Sequence, residues 1–410
     1  PPFETMIIEE IQIRNFKALK DVRLSNLPAV AVFVGKNGTG KTTLFRVFAF
    51  LKECLNSNVR VALQQEGGLL GFKEVITRGC DPATERISIE IKFRLEIAGR
   101  ERLVTYHLEI GQEAGKPIVR REILRYKRGR YGSPFHFINF ENGSGTAVSN
   151  EEDFNKPDED LDREEQTLGS PDILAVKGLG QFDRFKAAKA FRQLIENWHI
   201  SDIHINAARG AKQPDEGEHV SSRGDNLPSV ALRLYQEHRE IFDAVCVKMQ
   251  ERVPGVQEIE AKPMENGSLI IRYRDGAFEE PFLDLNVSDG TIKMFAYLLL
   301  LNDPKPHKIL CVEEPENQLY PELMILLAEE FQSYADRGGQ VFISTHSPEF
   351  LNAVELGAIF VLEKEGGMTR IWRAQDDPLI RGQMEAGDHA GYLWDQGMFR
   401  GVGLRIQRDA

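Results

Sequence analysis

The apolar positions of the chain change period along its length, and the changes divide it into regions. Residues 7–34 carry short runs of alternating or continuous apolar residues, "IIEEIQIRNF", "DVRLSNL" and "AVAVFVG", which predict three strands. A helix is predicted from Lys41 to about Leu55, because Leu44, Val47, Phe48, Leu51 and Leu55 recur at helical spacing. From Arg86 the period becomes two. Ile87, Ile89, Ile91, Phe93, Leu95 and Ile97 alternate with polar residues, and Val104, Tyr106, Leu108 and Ile110 repeat the pattern. That alternation predicts antiparallel strands with one wet face, extending to about Phe140.

Residues 149–170, "SNEEDFNKPDEDLDREEQTLGS", are acidic and poor in apolar residues, and read as a solvated, mobile loop. Helices are predicted at 183–197 and 228–251, and a strand at 268–274. From Ser288 the chain alternates: helix 289–301, strand 308–313, helix 321–335, strand 340–344, a short helix after Pro348, and strands 358–363 and 369–373. Such alternation predicts an α/β ending. There is no internal repeat and no heptad run long enough for a coiled-coil arm.

Composition narrows the function classes. The chain of 410 residues is 41% apolar and 28% charged, as in ordinary globular proteins. No apolar run reaches the length of a membrane span, and no signal peptide is evident. "PPFET" precedes Met6, so Met6 is expected to be the natural start. Cys54, Cys80, Cys246 and Cys311 are scattered without metal-ligand spacing. A reduced, cytoplasmic setting is expected. The net charge of −12 argues against coating nucleic acid with the whole surface, yet leaves room for a local basic face.

Candidate chemistry lies in the segments flanking the middle region. "GKNGTGKTT", Gly35–Lys36–Asn37–Gly38–Thr39–Gly40–Lys41–Thr42–Thr43, fits the phosphate-binding pattern G-x-x-x-x-G-K-[ST] and falls between a predicted strand and a predicted helix. Glycines let backbone N–H groups wrap phosphates, and the helix N-terminus adds a favourable dipole. Lys41 is expected to reach the β- and γ-phosphates of ATP, and the Thr42 hydroxyl to hold Mg²⁺. Further on, "ILCVEEPENQLYP" ends an apolar run in Glu313 and Glu314. Carboxylates closing a buried strand need a positive partner, and Mg²⁺ is that partner: Glu313 takes the metal side, while Glu314 orients or deprotonates the attacking water. Glu316 reads as an exposed acidic turn. His346, in "ISTHSP" at the end of the next strand, is a candidate contact for the γ-phosphate. Ser288, in "NVSDG", reads either as a helix N-cap or as part of an anion-binding helix start aimed at a second nucleotide.

Together, "GKNGTGKTT", "VSDG", "CVEEPENQLYP" and "STHSP" resemble the ABC-type ATPase heads of the RecF/SMC class. More closely, they resemble compact AAA-family ATPases related to OLD proteins, often found beside bacterial defence genes. The opening "IQIRNFKALKDVRL" and the late "GYLWDQGMF" fit the same class. The resemblance implies a P-loop head with a mixed sheet, flanking helices and an antiparallel β subdomain, formed by residues 1–60 and 284–410. An α+β insertion at 61–283 interrupts it, with an antiparallel part at about 85–148, the acidic loop at about 149–170 and a helical part at about 181–255. It also implies that two heads sandwich ATP: Gly35–Thr42 of one copy faces Ser288 and Gly290 of the other, Glu314 is the catalytic glutamate, and His346 is the switch histidine. A homodimer or higher homo-oligomer follows, acting as sensor or motor in DNA maintenance or antiphage defence through a separate effector protein. An ATP-binding scaffold with little turnover is the alternative.

Departures from the class are specific. Glu313 stands where an aspartate is common, although OLD-like relatives also use glutamate. Tyr320 stands at the usual aspartate of the loop that follows the catalytic glutamate. Gln64 and Gln65 are candidates for the nucleotide-sensing glutamine by position only. The coiled-coil arm of SMC proteins and the Toprim nuclease domain of full-length OLD proteins are both missing from the pattern. A basic cluster, "RREILRYKRGRYG" over residues 120–131, is a candidate nucleic-acid contact, with an ordinary solvated strand pair as the alternative.

Overall fold

The computed structural model describes residues 7–97, 100–126, 135–149, 161–276, 281–283 and 286–399. Two compact units emerge from the packing: Pro1–Trp198 with Phe360–Arg373 and Arg400–Ala410, and His199–Ile359 with Ala374–Phe399.

In the first unit, β1 (Ile8–Phe16), β2 (Leu19–Ser25) and β3 (Val30–Val34) match the three opening patterns. All five residues of β3 are buried, which explains its unbroken apolar run. The helix Lys41–Asn56 follows, burying Leu44, Val47, Phe48, Leu51 and Leu55 with Phe45 and Phe50. Strands β4 (Ile87–Ile97), β5 (Arg100–Glu113), β6 (Lys116–Tyr126), β7 (Phe135–Glu141), β8 (Ser144–Val148) and β9 (Arg163–Thr167) join β1 and β2. They form an eight-stranded sheet of order β2-β1-β4-β5-β6-β7-β8-β9, antiparallel throughout.

The two-residue period sets the register of this sheet. Ile91 stands opposite Tyr106 and Phe93 opposite Val104, and all four are buried. Phe191, from the helix Lys186–Glu196, covers that face, with its ring 4.9 Å from Phe93 and 4.3 Å from Tyr106. Burying such a side chain contributes about 2–3 kcal/mol. Beneath it lies Glu122 of β6, fully buried. Its carboxylate accepts hydrogen bonds from the Tyr106 hydroxyl (3.1 Å), the Val176 amide (3.0 Å) and the Ala175 amide. It thereby satisfies the N-terminus of the short helix Ala175–Leu179, which no neighbouring side chain caps. Burial pushes the Glu122 carboxyl from 4.5 up to about 7, although these three donors pull the other way.

The second unit contains β10 (Trp198–Ser201), the helices Leu227–Glu237 and Arg239–Arg252, and a small antiparallel sheet of β11 (Val256–Pro263), β12 (Leu269–Asp275) and β13 (Phe282–Leu283). The helix Asp289–Leu301 comes next and is buried along nearly its whole length. Strands β14 (Ile309–Glu313) and β15 (Gln340–Thr345) run parallel, with Glu313 in register with Ser344. Parallel pairing requires a crossover, and the helix Pro321–Asp336 supplies it. Its buried Glu330 is held by Lys248 (2.8 Å) and Arg252 (2.9 Å) of the helix Arg239–Arg252.

The first unit is completed by the hairpin of β16 (Ile359–Glu365) and β17 (Met368–Arg373). Phe360 stacks on Phe33 of β3 at 5.4 Å, and the Thr369 amide donates to the Ala18 carbonyl between β1 and β2.

Two expectations are corrected. The segment 149–170 is not a loop throughout: β9 occupies Arg163–Thr167, while 150–160 lies outside the described residues. The helix expected at 228–251 is two helices, separated at His238, whose φ of −136° and ψ of 54° leave the helical region. The helix Val59–Gly67, the strands β10 and β11 and the late helices Pro378–Glu385 and Ala390–Asp395 had no counterpart in the pattern. Among the described residues no helix is long and apolar enough to cross a membrane.

Candidate nucleotide-binding site

In the first unit, the loop Gly35–Thr43 leaves the buried end of β3 and turns into the helix Lys41–Asn56. The Thr39 amide and hydroxyl both donate to the Lys36 carbonyl, at 3.2 and 2.8 Å, which tightens the turn. Gly40 has a φ of +109°, a left-handed conformation that favours glycine. A Cβ there would also lie 2.4 Å from Thr369 Oγ1. That hydroxyl donates to the Thr39 carbonyl at 2.8 Å, so β17 fixes the loop from the side.

Lys36, Asn37, Gly38 and Thr42 form the exposed rim, whereas Lys41 is buried and donates to the Gly35 carbonyl at 2.6 Å. No side chain caps the helix start, and its first turn carries no acidic residue. Peptide donors, a left-handed glycine and an ammonium already holding an oxygen fit a phosphate chain. The exposed Thr42 hydroxyl fits a Mg²⁺ ligand.

In the second unit, β14 ends at Glu313, and the backbone turns at Glu314 with a φ of +39°. That conformation costs a non-glycine residue about 1–3 kcal/mol and needs local support. Support comes from β15: the Glu314 amide donates to the Ser344 carbonyl (2.9 Å) and the Ser344 hydroxyl (3.3 Å). Asn317 Nδ2 then donates to the Glu314 carboxylate at 3.2 Å. His346 lies just past β15, its Nδ1 3.8 Å from Glu314 Oε1 and 3.2 Å from Glu316 Oε1. Glu313, Glu314 and His346 thus gather at the C-terminal ends of two parallel strands, where α/β sheets hold ligands.

Ser288 caps the helix Asp289–Leu301, accepting from the Thr291 amide at 3.2 Å and pairing with the Thr291 hydroxyl at 2.7 Å. Arg209 braces this start, donating to the Val287 carbonyl (2.9 Å) and to the Asp289 carboxylate. Gly290 allows close approach, since a Cβ there would lie 3.2 Å from the Gln318 carbonyl. One turn later, buried Lys293 donates to the Asn317 carbonyl at 2.7 Å. Burial lowers the Lys293 amine to about 8, against the opposing pull of Glu316, Asp202 and Glu314.

The residues anticipated from sequence therefore fall into two groups. Gly35–Thr43 form one loop of the first unit, and Ser288, Gly290, Glu313, Glu314 and His346 lie in the second. Glu316 is corrected: its side chain is only 9% exposed, not a solvated turn. Sequence reading also missed Lys293, Arg209, Thr345 and Thr369. Lys293 was hidden within the apolar helix "TIKMFAYLLLL", where a lone lysine is itself a signal.

Within the described part of the basic cluster, Arg120 and Arg125 are engaged internally, whereas Arg121 is exposed. Arg120 pairs with Glu113 (3.7 Å) and Asn142 (3.3 Å), and Arg125 with Glu90 (3.5 Å). Tyr126 is buried beneath Arg102 rather than offered to a base. Lys127, Arg128, Arg130 and Tyr131 lie outside the described residues.

The profile of the family described as "AAA domain, putative AbiEii toxin, Type IV TA system" matches residues 30–352. The DNA replication and repair protein RecF of Renibacterium salmoninarum is 28% identical over 122 residues, 29% of this chain, and the match spans 27% of that relative's length. Among solved structures, an SmcHead bound to the C-winged helix domain of ScpA superposes with a TM-score of 0.52 at 13% identity, covering 89% of this chain and 96% of the other. An Smc head domain with an extended coiled coil, bound to the C-terminal domain of ScpA derived from Pyrococcus furiosus, gives 0.51 at 12% identity, covering 93% and 100%. These two likenesses establish the fold, that of an Smc head, and with a profile matching well over half of its length the chain belongs to the family "AAA domain, putative AbiEii toxin, Type IV TA system".

Proposed function

We propose that this chain is a Mg²⁺-dependent ATPase in which ATP sandwiched between two copies drives dimerisation or rearrangement of the heads. The observation that carries this reading is the gathering of Glu313, Glu314 and His346 at the ends of β14 and β15, in a chain that also has an intact phosphate-binding loop. Lys41 and the loop amides hold the phosphates. Thr42 and Glu313 hold Mg²⁺, which neutralises phosphate charge when bound. Glu314 takes a proton from the attacking water, and His346 contacts the γ-phosphate. Ser288 and Gly290 act on the nucleotide of the partner copy, so the γ-phosphate favours the joined state and hydrolysis releases it.

In this reading residues 1–60 and 284–410 act as the head, and 61–283 as its insertion. OLD-like ATPases are the model for the biological role: a cytoplasmic sensor or motor in DNA maintenance or antiphage defence, coupled to a separate effector. The Smc heads bound to ScpA domains support a protein partner docking on such a head. Nucleic-acid contact through 120–131 is refuted if charge reversal at Arg121 and Arg128 leaves low-salt DNA and RNA binding unchanged.

The test is the solution mass of Glu314→Gln by light scattering, with and without Mg-ATP. The amide cannot act as a base, so turnover is expected to fall roughly 10²–10⁴-fold while binding persists. A nucleotide-driven rise in subunit number is the expected result. A mass that stays monomeric in both conditions refutes the sandwich. A second reading, an ATP-binding scaffold with little turnover, is favoured by Tyr320, which is 60% exposed where the class has an aspartate. Near-normal turnover in wild type, abolished by Glu314→Gln, decides against the scaffold.

A further inference from the structure

Glu316 has no role in the reading above, yet its position is costly. The carboxylate is almost fully buried, with Oε1 accepting from the Thr345 hydroxyl (2.8 Å) and the His346 amide (2.7 Å). His346 Nδ1 lies 3.2 Å from the same oxygen. The other oxygen, Oε2, is buried with no hydrogen-bond partner among the described residues. A buried, half-satisfied carboxylate is a poor way to stabilise a turn, because each unmet acceptor costs about 1–3 kcal/mol. An apolar residue with a capped turn would serve structure better.

We propose that Glu316 is a positioning residue that fixes the ring of His346 with its proton on Nδ1, leaving Nε2 as the outward-facing nitrogen. Glu316 grips the residue before the histidine, the histidine's own amide and the near side of its ring, all through one oxygen. Backbone and ring are therefore fixed together. A carboxylate accepts but does not donate, so a neutral ring facing it keeps its N–H on Nδ1. The half-exposed remainder of the imidazole then presents Nε2 as an acceptor, or as a second donor once the ring is protonated.

The anchor is itself held. Lys293 donates to the carbonyl of Asn317, the residue after Glu316, and its buried ammonium lies in the field of Glu316 and Glu314. The helix that begins at Ser288 is thus joined to the histidine through the Glu314–Asn317 turn. This assignment rests on the reading of His346 as the phosphate-contacting residue only for its catalytic consequence, not for the ring geometry.

The test uses the full chain labelled with ¹⁵N-histidine, without nucleotide, at a pH where the ring is neutral. The His346 signals are identified by their loss in His346→Gln, since the chain holds nine histidines. Wild type is expected to show a pyrrole-type Nδ1 and a pyridine-type Nε2. Glu316→Gln, whose amide can donate to a ring nitrogen, is expected to shift His346 toward the opposite tautomer. Only a ring carrying protons on both nitrogens can face Glu316 through Nδ1 and donate to a phosphate oxygen through Nε2 at once, so Glu316→Gln should also lower kcat for ATP roughly 10- to 100-fold, the worth of one charge-assisted hydrogen bond, with KM little changed. An Nε2-protonated ring in wild type overturns the proposal even if Glu316→Gln fails to fold. Unchanged ring signals in a folded Glu316→Gln overturn it too. A tautomer shift with undiminished kcat removes the positioning role in catalysis. If wild type does not turn over ATP, the functional reading fails, while the ring signals still decide whether Glu316 sets His346.

Discussion

Gly40→Ala tests how the phosphate-binding loop is built, independently of any activity. The substitution does two things. It forces a side chain into a φ of +109°, which costs about 1–2 kcal/mol. It also places Cβ 2.4 Å from Thr369 Oγ1, with the Thr369 Cγ2 and Cβ atoms at 3.2 and 3.3 Å. Thr369 is buried near the turn of the β16–β17 hairpin, so it yields by losing its hydrogen bond to the Thr39 carbonyl, worth about 1 kcal/mol. The expected cost is roughly 2–3 kcal/mol. Thr369→Ala alone loses the same bond, about 1–2 kcal/mol with the carbonyl left unmet. In the double variant the two closest contacts disappear, only the Cβ contact at 3.3 Å remains, and the bond is lost only once. The two costs should therefore fall short of additivity by about 1 kcal/mol or more, read as shifts of the urea midpoint at constant m-value. Additivity within about 0.5 kcal/mol refutes the claim that β17 fixes the loop through this contact.

Lys41→Ala should abolish Mg-ATP binding by titration calorimetry while the protein stays folded, because its ammonium contacts the loop carbonyl rather than the core; retained binding removes Lys41 from the phosphate site. Glu122 predicts a pH dependence. Its folded carboxyl lies above its unfolded value, so its contribution is full below about 4.5 and is lost as pH rises through about 7, at most roughly 3 kcal/mol. Glu122→Gln should flatten the stability curve over that window, and an unchanged curve assigns the dependence to other groups. Glu330→Ala leaves Lys248 and Arg252 without their shared carboxylate and should cost about 3 kcal/mol in the thermal or urea transition; a loss below about 1 kcal/mol would show that water replaces the carboxylate.

Periodicity made much of this architecture legible. β4 and β5 were visible because one face is wet and the other dry, and the segment from Asp289 to Arg373 because buried strands and helices alternate with clear turn signals. What escaped notice lacked apolar contrast or depended on distant partners. β9 reads "REEQT" and is held by backbone pairing to β8 and by polar contacts such as Glu164 with Arg184 (3.1 Å), so no hydrophobic pattern announces it. The helix Val59–Gly67 is short, yet Asn58, whose side chain accepts from the Val61 amide at 2.8 Å, was a readable start signal. The break at His238 has neither glycine nor proline to mark it. Within the site, strand ends and glycine spacing located Glu313, Glu314 and Gly35–Thr43. Glu316 was misjudged because its burial is created by Thr345 and His346, some thirty residues later in the chain.

The charged strand β9 also bears on how copies can meet. A sheet edge is a row of unpaired peptide groups, able to template another chain. Among the described residues β9 is the last strand at that end of the sheet, and its five residues carry Arg163, Glu164 and Glu165. A second copy approaching it in strand fashion would have to desolvate charged side chains and would find little length to pair with. Replacing Glu164 and Glu165 with valine would remove that protection, and loss of solubility on concentration or mild heating would be the first sign. Fibrillar self-association is thus discouraged at this end of the sheet.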